Sequence, residues 1–337
     1  MFRLMQKHPV NSADSLADGL SLCMIVRNEE KNLPKCIHSV KNLVDEIILV
    51  DTGSRDRTIE IGRNLGAKVF SLPWTGDFAR ARNFSLVQAT KTWILVLDAD
   101  ETLRSHEHSL IKELISGNLP CEGFYLKLVN YFSNYPDDYT IDAVCRLFKN
   151  KPQYRFSGSV HESIAPSIIN YQGNSCIRPV EVHIDHRGYL NQSLLKQKSA
   201  RNINILDLEA ANNPTDAYNL YAMGTELFQQ GNYEDALTQF RQTLSLSAGS
   251  NVTADVYFKM AVCCLELAQY QQGLKILKQG QNIFPDFTGL WYLQGMLEFR
   301  QGNYQQAARI WQQTLDMGDP PWHRYTFPYG IGTYLSL

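Results

Sequence analysis

Two acidic side chains follow an apolar segment in the first half of the chain. The segment Trp93–Leu97 is apolar throughout, and Asp98, Ala99 and Asp100 come directly after it. A short continuous apolar run is typical of a strand that is buried on both faces of a parallel sheet. Because side chains alternate along a strand, we expect Asp98 and Asp100 to leave its end in the same direction.

A pair of neighbouring carboxylates is suited to hold a cation, which relieves their mutual repulsion. Mg2+ and Mn2+ take oxygen ligands and are commonly shared with substrate phosphates. Open α/β folds bind their ligands at the carboxyl edge of the sheet. The pair therefore predicts a site for a divalent metal and a diphosphate. The same spacing also occurs where a strand merely ends or a helix is capped, so the surrounding sequence must decide.

Apolar strands alternate with amphipathic helices before the acidic pair. The predicted strands are Leu20–Val26, Glu46–Val50 and Ala67–Phe70, and the predicted helices are Lys31–Leu43, a helix carrying Thr58 to Leu65, and Phe78–Ala89. This alternation predicts a parallel sheet with helices on both faces. In such a sheet the strand ends, and the polar residues that follow them, lie along one edge.

Further charged and polar residues are expected near this edge. They are Arg27 and Glu29 after the first strand, Asp51 at the end of the second, and Arg80, Arg82 and Asn83 in the helix before the acidic pair. A carboxylate can accept a hydrogen bond from a base or a ribose, and arginines offset phosphate charge. The chain lacks Gly-x-Gly-x-x-Gly after the first strand and Gly-x-x-x-x-Gly-Lys-Ser/Thr throughout, which argues against a dinucleotide dehydrogenase and a P-loop enzyme.

The composition is that of an ordinary soluble protein. The 337 residues are 44% apolar, and their net charge of -2 gives no electrostatic reason to expect nucleic acid as a partner. The seven cysteines are scattered without a Cys-x-x-Cys pair, which favours reduced thiols. We find neither a signal-peptide core nor a transmembrane stretch, so a cytoplasmic location is expected.

Four blocks of the sequence together resemble a known family. They are residues 24–40 (MIVRNEEKNLPKCIHSV), 47–58 (IILVDTGSRDRT), 77–86 (DFARARNFSL) and 93–101 (WILVLDADE). In this order they resemble the nucleotide-binding half of inverting family 2 glycosyltransferases with the GT-A fold. The resemblance implies that Asp51 contacts the nucleobase or ribose and that Asp98 reaches the ribose or the metal. It also implies that Asp100 ligates the Mn2+ or Mg2+ ion that bridges the diphosphate of a nucleoside-diphosphate sugar.

The next part of the chain is expected to bind the acceptor. Strands are predicted at 123–131 and 139–148, and blocks 154–162 and 180–189 resemble the repeat-bearing bacterial peptide S-glycosyltransferases of that family. Inverting transfer needs a base, for which we choose Glu162 at a predicted strand end; a surface glutamate is the alternative. His161 is the nearest rival, and Asp137 and Asp138 are weaker candidates. The His-x-Gly-Tyr motif suggests His186 as a further metal ligand.

The second half of the chain contains a repeat. Gly231, Ala268 and Gly302 begin similar blocks that are 37 and 34 residues apart. Small residues precede each block where two helices would cross, namely Gly224, Ala261 and Gly295. This is the tetratricopeptide pattern, in which helical hairpins bury their apolar faces by stacking. Tyrosines on the first helices either line a groove or pack; they are Tyr218, Tyr221, Tyr257 and Tyr292. Residues 322–337 are predicted to cover the last repeat.

These features predict an α/β domain of the GT-A class, with a Rossmann-like mixed sheet, followed by an all-α repeat domain. The predicted parts are a flexible extension (1–19), the transferase domain (20–190), a linker helix (191–213) and the repeats (214–337). The leading interpretation is a metal-dependent inverting glycosyltransferase acting on a peptide, a glycan or a lipid-linked sugar. The repeats would bind the acceptor, a protein partner or a second copy of the chain. The alternatives are an interaction scaffold with an inactive transferase domain and a nucleotidyltransferase.

Overall fold

The chain begins its first strand earlier than the sequence predicts. The computed structural model describes residues 16–117, 119–135, 137–190, 192–246 and 252–336. Of the predicted flexible extension, residues 1–15 lie outside the described residues. From Ala17 onwards the chain is already in the sheet, where Ala17 pairs with Lys91. Among the described helices, none is long and apolar enough to cross a membrane.

A mixed sheet forms the centre of the first domain. Its described strands are β1 (Ala17–Val26), β2 (Glu46–Asp51), β3 (Lys68–Ser71), β4 (Lys91–Val96), β5 (Glu101–Leu103), β6 (Gly123–Tyr131), β7 (Tyr139–Lys149), β8 (Ile177–His186) and β9 (Phe327–Pro328). Their order is β3-β2-β1-β4-β7-β6-β8-β5, and β9 pairs with β7. Strands β3, β2, β1 and β4 are parallel, whereas β7 pairs antiparallel with β4.

Apolar side chains cover both faces of the parallel strands. On β4, Leu95 belongs to one buried cluster, while Ile94 and Val96 belong to the cluster on the other face. This division follows from the alternation of side chains along a strand. The helices that cover the sheet are α1 (Leu33–Val40), α2 (Thr58–Asn64), α3 (Phe78–Gln88), α4 (His108–Ser116) and α5 (Ala165–Gln172). The predicted α/β class with a mixed sheet is confirmed.

The segment 154–162 does not end in a strand, although the sequence analysis places Glu162 at a strand end. Apart from one bridge between Ser157 and Ser163, it is irregular. Gly158 has a φ of +94° and His161 has a φ of 54°. Because the left-handed region is incompatible with an extended strand, these positions turn the chain instead. Glu162 therefore follows a turn rather than closing a strand.

Helical hairpins make up the C-terminal region. A long helix, α6 (Gln192–Asn212), leads into α7 (Ala217–Gln229), α8 (Tyr233–Leu246), α9 (Thr253–Glu266), α10 (Tyr270–Ile283), α11 (Thr288–Arg300) and α12 (Tyr304–Met317). Gly224 and Gly295 lie at close crossings, as predicted. A Cβ at Gly224 would come within 2.7 Å of the Phe240 ring, and one at Gly295 would come within 2.2 Å of the Trp311 ring. The all-α repeat region is thereby confirmed.

The C-terminal segment, residues 322–336, joins the two regions. The prediction that it covers the last repeat is only partly right. The Tyr325 ring stacks on Phe287 at 4.3 Å, and Ser336 contacts Thr314 of α12. Between these contacts, however, β9 pairs with β7 through Phe327 and Ile141. The chain thus returns from the repeats to the sheet of the first domain.

Candidate functional site

Asp98 and Asp100 lie in a turn at the carboxyl edge of the parallel strands. Strand β4 ends at Val96, and the Glu101 amide closes a turn onto the carbonyl of Asp98. The alternation of a strand therefore does not extend to these residues, and their side chains have different neighbours. The strand on which we based the expectation of a common direction therefore ends before these residues, and their common direction stays a prediction.

Asp98 is held between two arginines. Its Oδ1 accepts a hydrogen bond from Arg82 Nη2 at 2.7 Å, and its Oδ2 accepts one from Arg146 Nη2 at 3.1 Å. Burial works against the charged carboxylate, but the two guanidinium groups hold the pKa of Asp98 well below its usual range. Since arginines engage both oxygens, Asp98 is not among the ligands of the metal site that we propose below.

Asp100 faces His186 and a lysine of α6. Its Oδ2 lies 3.0 Å from Lys198 Nζ and 3.6 Å from His186 Nε2. Burial acts to raise its pKa, but the neighbouring His186 and then Lys198 lower it to about 2. A Cβ at Gly188 would come within 2.5 Å of both Asp100 Oδ2 and His186 Nε2. Glycine at this position therefore leaves room beside both donor atoms.

His186 reaches Asp100 from the end of β8. The pairing of β8 with β5 and β6 sets His186 beside Glu101 and Asn130. Its Nδ1 lies 2.6 Å from Asn130 Oδ1. Burial acts to lower the pKa of His186, but Asp100 above all, then Glu101 and Asp98, raise it above the ordinary value. The ring is thus fixed with Nε2 towards the carboxylate.

The donor atoms fit a metal ion that a substrate helps to hold. The described ranges contain no group of three His, Cys, Asp or Glu side chains that could bind an ion on their own. The Asp100 carboxylate and the His186 imidazole converge, and Gly188 leaves space beside them. Mg2+ is usually bound by one or two carboxylates together with substrate phosphates. A shared site of this kind matches the pair, whereas a site formed by protein alone does not.

A cleft of about 800 Å³ opens beside Asp100. Glu29 lines it, and burial raises the pKa of Glu29, with Asp100 acting in the same direction. Its cationic lining residues are Arg27, Lys31, Lys35, Arg187, Lys198 and Arg201. Arg27 and Glu29 were predicted here, whereas Lys198 and Arg201 come from α6, which the sequence suggests only as a linker. Five carboxylates also line the cleft, namely those of Glu29, Glu30, Asp56, Asp100 and Asp185, so its walls carry both signs of charge.

Arg82 is a buried bridge rather than an open phosphate contact. Its side chain is 5% exposed and pairs with Glu162 through Nε as well as with Asp98. Its Nη1 is buried and makes no hydrogen bond within the described residues. The arginine consequently links the predicted base to Asp98, and its contact with a nucleotide stays a prediction.

Three further predicted residues lie away from the lining of the cleft. The buried Asp51 accepts hydrogen bonds from the amides of Gly53 and Ser54. Asn83 pairs through both of its amide atoms with the backbone of Phe156. Arg80 donates to Thr75 and, like Asn83, lines a separate depression of about 1060 Å³. The arrangement gives Arg80 and Asn83 no part in the cleft beside Asp100; the base or ribose contact of Asp51 stays a prediction.

The predicted base lies in a loop that the first repeat helix contacts. His161 Nε2 lies 3.2 Å from the buried Glu226 of α7, and Tyr218 donates a hydrogen bond to the His161 carbonyl oxygen. Arg82 holds the neighbouring Glu162 from the other side. The predicted alternatives Asp137 and Asp138 lie beside the C-terminal segment. There the carbonyl oxygen of Asp137 accepts a hydrogen bond from the Tyr334 hydroxyl. The repeats thus position the loop of the predicted base.

Two family models match the chain. Residues 21–116 match "Glycosyl transferase family 2". Residues 192–280 match "Anaphase-promoting complex, cyclosome, subunit 3". The first match covers the parallel strands, the turn with Asp100 and α4. The second covers α6 and the first two helical hairpins.

Curated relatives resemble both regions of the chain. A TPR repeat-containing protein of Synechococcus elongatus is 35% identical over 67% of this chain and 56% of its own length. The SPbeta prophage-derived glycosyltransferase SunS of Bacillus subtilis is 28% identical over 66% of this chain and 52% of its own. An uncharacterized glycosyltransferase of Rickettsia bellii is 40% identical over 47% of this chain and 54% of its own length. The chain spans about half the length of these relatives.

Proposed function

We propose, for a chain that belongs to glycosyl transferase family 2, that the cleft beside Asp100 binds a nucleoside-diphosphate sugar and that its sugar passes to an acceptor with inversion. One observation carries the proposal. Asp100 and His186 converge beside the space that Gly188 leaves, and Asp100 and Gly188 line a cleft whose walls carry both cationic and acidic side chains. This combination suits a diphosphate that shares a divalent ion with the protein.

The cationic residues have a clear task in such a reaction. The donor carries negative charge on its diphosphate, and the charge grows on the leaving group as the sugar departs. Arg27, Lys198 and Arg201 are at hand in the cleft to offset it. A bound Mn2+ or Mg2+ would neutralise the same charge as a Lewis acid. Asp100 and His186 are the residues that would hold the ion.

The acceptor is proposed to approach from the side of the repeats. Glu162 remains our proposed base, because inversion requires a group that takes the acceptor proton as the sugar is attacked. Its loop contacts α7 through Tyr218 and Glu226. An acceptor held by the first repeat helix would therefore reach the same loop. The proposed acceptor is a peptide, a glycan or a lipid-linked sugar.

The test combines binding with turnover. A panel of nucleoside diphosphates and sugar nucleotides, with and without Mn2+, should raise the thermal midpoint for one nucleotide only when Mn2+ is present. Asp100→Asn should lower the metal-dependent release of nucleoside diphosphate by about 100-fold or more, as loss of a group that stabilises the transition state does. Asp207→Asn on the exposed face of α6 is the matched control.

Two outcomes would contradict the proposal. Equal release by the wild type and Asp100→Asn would remove the metal site from the reaction. A thermal shift by a nucleotide without any turnover, over a wide range of acceptors, would favour the scaffold with an inactive transferase domain.

A further inference from the structure

A buried amide connects His186 to the centre of the antiparallel strands. Asn130 on β6 is 3% exposed, and its Nδ2 donates to Asp142 Oδ2 on β7 at 2.7 Å. Its Oδ1 faces His186 Nδ1 at 2.6 Å. The side chains form a continuous line from β8 across β6 to β7. Asp100 lies at the end of this line, beyond Nε2 of the imidazole.

The direction of these hydrogen bonds fixes the tautomer of the imidazole. The amide group of Asn130 presents its NH2 to Asp142, where a carboxyl oxygen accepts the hydrogen bond. Its carbonyl oxygen is then left for His186 and can only accept. Nδ1 of the neutral ring therefore carries the proton, and Nε2 keeps its lone pair towards Asp100. This is the form of histidine that binds a metal.

The line continues into the C-terminal segment. Thr326 Oγ1 donates to the second oxygen of Asp142 at 2.5 Å. The next residue, Phe327, pairs with Ile141 beside Asp142. The preceding residue, Tyr325, is fixed to the repeats by a hydrogen bond of 2.6 Å to Asp286. A residue that the repeats hold in place thus orients Asp142.

We propose that Asn130 and Asp142 are positioning residues that hold His186 in its metal-binding tautomer, and that Thr326 of the C-terminal segment orients them. The inference rests on the proposed function, in which His186 is a metal ligand. Its physical basis is that a ligating histidine usually donates its other ring N–H to an acceptor that sets its orientation. Here the acceptor is an amide whose own orientation depends on a distant part of the chain.

The first test measures Mn2+ binding by calorimetry on the full chain, in the presence of the nucleoside diphosphate that raises the thermal midpoint. Asn130→Leu removes the acceptor and should weaken Mn2+ binding by about 10- to 100-fold, as loss of such a partner does in other metal sites. The exchanged pair, Asn130→Asp with Asp142→Asn, keeps every hydrogen bond with the roles reversed and should restore most of the affinity. Thr326→Val should cause a smaller loss than Asn130→Leu. Thr333→Val, in the same segment, is the matched control.

The second test needs no metal. Nitrogen-15 spectra of the imidazole, in buffer alkaline enough for a neutral ring, should show the proton of His186 on Nδ1 in the wild type. In Asn130→Leu the proton should move to Nε2, where Asp100 can accept it. Circular dichroism should show that each variant is folded. The exchanged pair serves as a second variant that keeps a polar interior, should Asn130→Leu fold poorly.

The outcomes separate this inference from the proposed function. Wild-type affinity and an unchanged tautomer in folded Asn130→Leu, or an exchanged pair as weak as that variant, would overturn the positioning role and leave the metal site intact. A wild type that does not bind Mn2+, alone or with a nucleoside diphosphate, would overturn the metal site and with it the role assigned to Asn130. A lower Mn2+ affinity of Asn130→Leu, together with a His186 proton that has moved to Nε2, supports both the metal site and the positioning role of Asn130.

Discussion

Gly188 has a chemical role because it lacks a side chain. A Cβ there would come within 2.5 Å of a donor atom of Asp100 and of one on His186. Contacts this short do not occur between non-bonded atoms, so a methyl group would displace both donors or occupy the space between them. In the His-x-Gly-Tyr motif the glycine is therefore as much a part of the proposed metal site as the histidine.

Replacement of Gly188 should thus impair metal binding more than folding. We expect Gly188→Ala to weaken Mn2+ binding by about 10-fold or more, in the range found when the surroundings of a metal ligand change. Calorimetric titration in the presence of a nucleoside diphosphate checks the affinity for Mn2+, and thermal unfolding checks the fold. Gly117→Ala, at the end of α4, adds the same methyl group far from Asp100. Equal affinities in both variants would contradict the assigned position of the metal.

The variants Asp98→Asn and Asp100→Asn should differ sharply in their affinity for Mn2+. Asp100→Asn should lose Mn2+ binding, whereas Asp98→Asn should keep it within a few-fold of the wild type, since arginines engage both oxygens of Asp98. Asp98→Asn should instead lower the free energy of unfolding by about 1–3 kcal/mol through weakened hydrogen bonds to charged groups. Calorimetry and denaturant unfolding measure the two effects. A parallel loss of Mn2+ affinity would restore Asp98 as a ligand.

Only part of this site is visible in the sequence. Motif and order identify Asp100 and His186 as candidates that the structure brings together. The partners of Asp98 could not be assigned, because Arg146 comes from an antiparallel strand 48 residues later. Lys198 belongs to a helix without any catalytic motif. These contacts depend on how strands and helices are arranged in space, which the local pattern does not encode.

At the scale of elements, α7 fixes the loop of the predicted base. The buried Glu226 accepts from Asn202 at 2.7 Å and faces His161. Burial acts to raise the pKa of Glu226, but His161 and Asn202 lower it below the ordinary value. The ionised form of Glu226 is thus favoured in the folded protein. The repeat predicts helix α7, but the local sequence pattern does not predict this contact, because it depends on the turns at Gly158 and His161.

The lowered pKa of Glu226 predicts how stability depends on pH. A carboxyl group whose pKa is lower in the folded state stabilises the fold above its unfolded pKa, and this contribution is lost as the pH falls through the folded value. Glu226→Gln should therefore lower the free energy of unfolding by about 1–3 kcal/mol near neutral pH. The difference from the wild type should shrink as the pH falls below the ordinary glutamate range. Denaturant unfolding at several pH values measures it.

Glu234→Gln, at an exposed position in the first turn of α8, is the control. We expect its free energy of unfolding to differ little from that of the wild type, by nearly the same amount at every pH. A difference for Glu226→Gln that grows as the pH falls would show that the carboxylate is not stabilised in the folded protein.

At the scale of the whole molecule, the C-terminal segment makes one assembly of two predicted domains. The alternation of strands and helices and the repeat period were enough to predict the two classes of fold. The segment was beyond such reasoning, because β9 has only two residues, Phe327 and Pro328, and no period of its own. Phe327 is 2% exposed and belongs to the apolar cluster of the repeats, while its backbone pairs with β7.

Phe327→Ala should therefore loosen both regions at once. Removal of a buried phenylalanine ring costs about 3–5 kcal/mol, and here the loss falls where the repeats meet the sheet. Amide hydrogen exchange should speed up in β7 around Ile141 and also in the repeats around Phe287, whose ring stacks on Tyr325 of the same segment. Leu335→Ala, an exposed position nearby, should change neither. Faster exchange in the repeats alone would show that the sheet does not depend on this segment. The loss of stability would then be confined to the cooperative unit that contains the cavity.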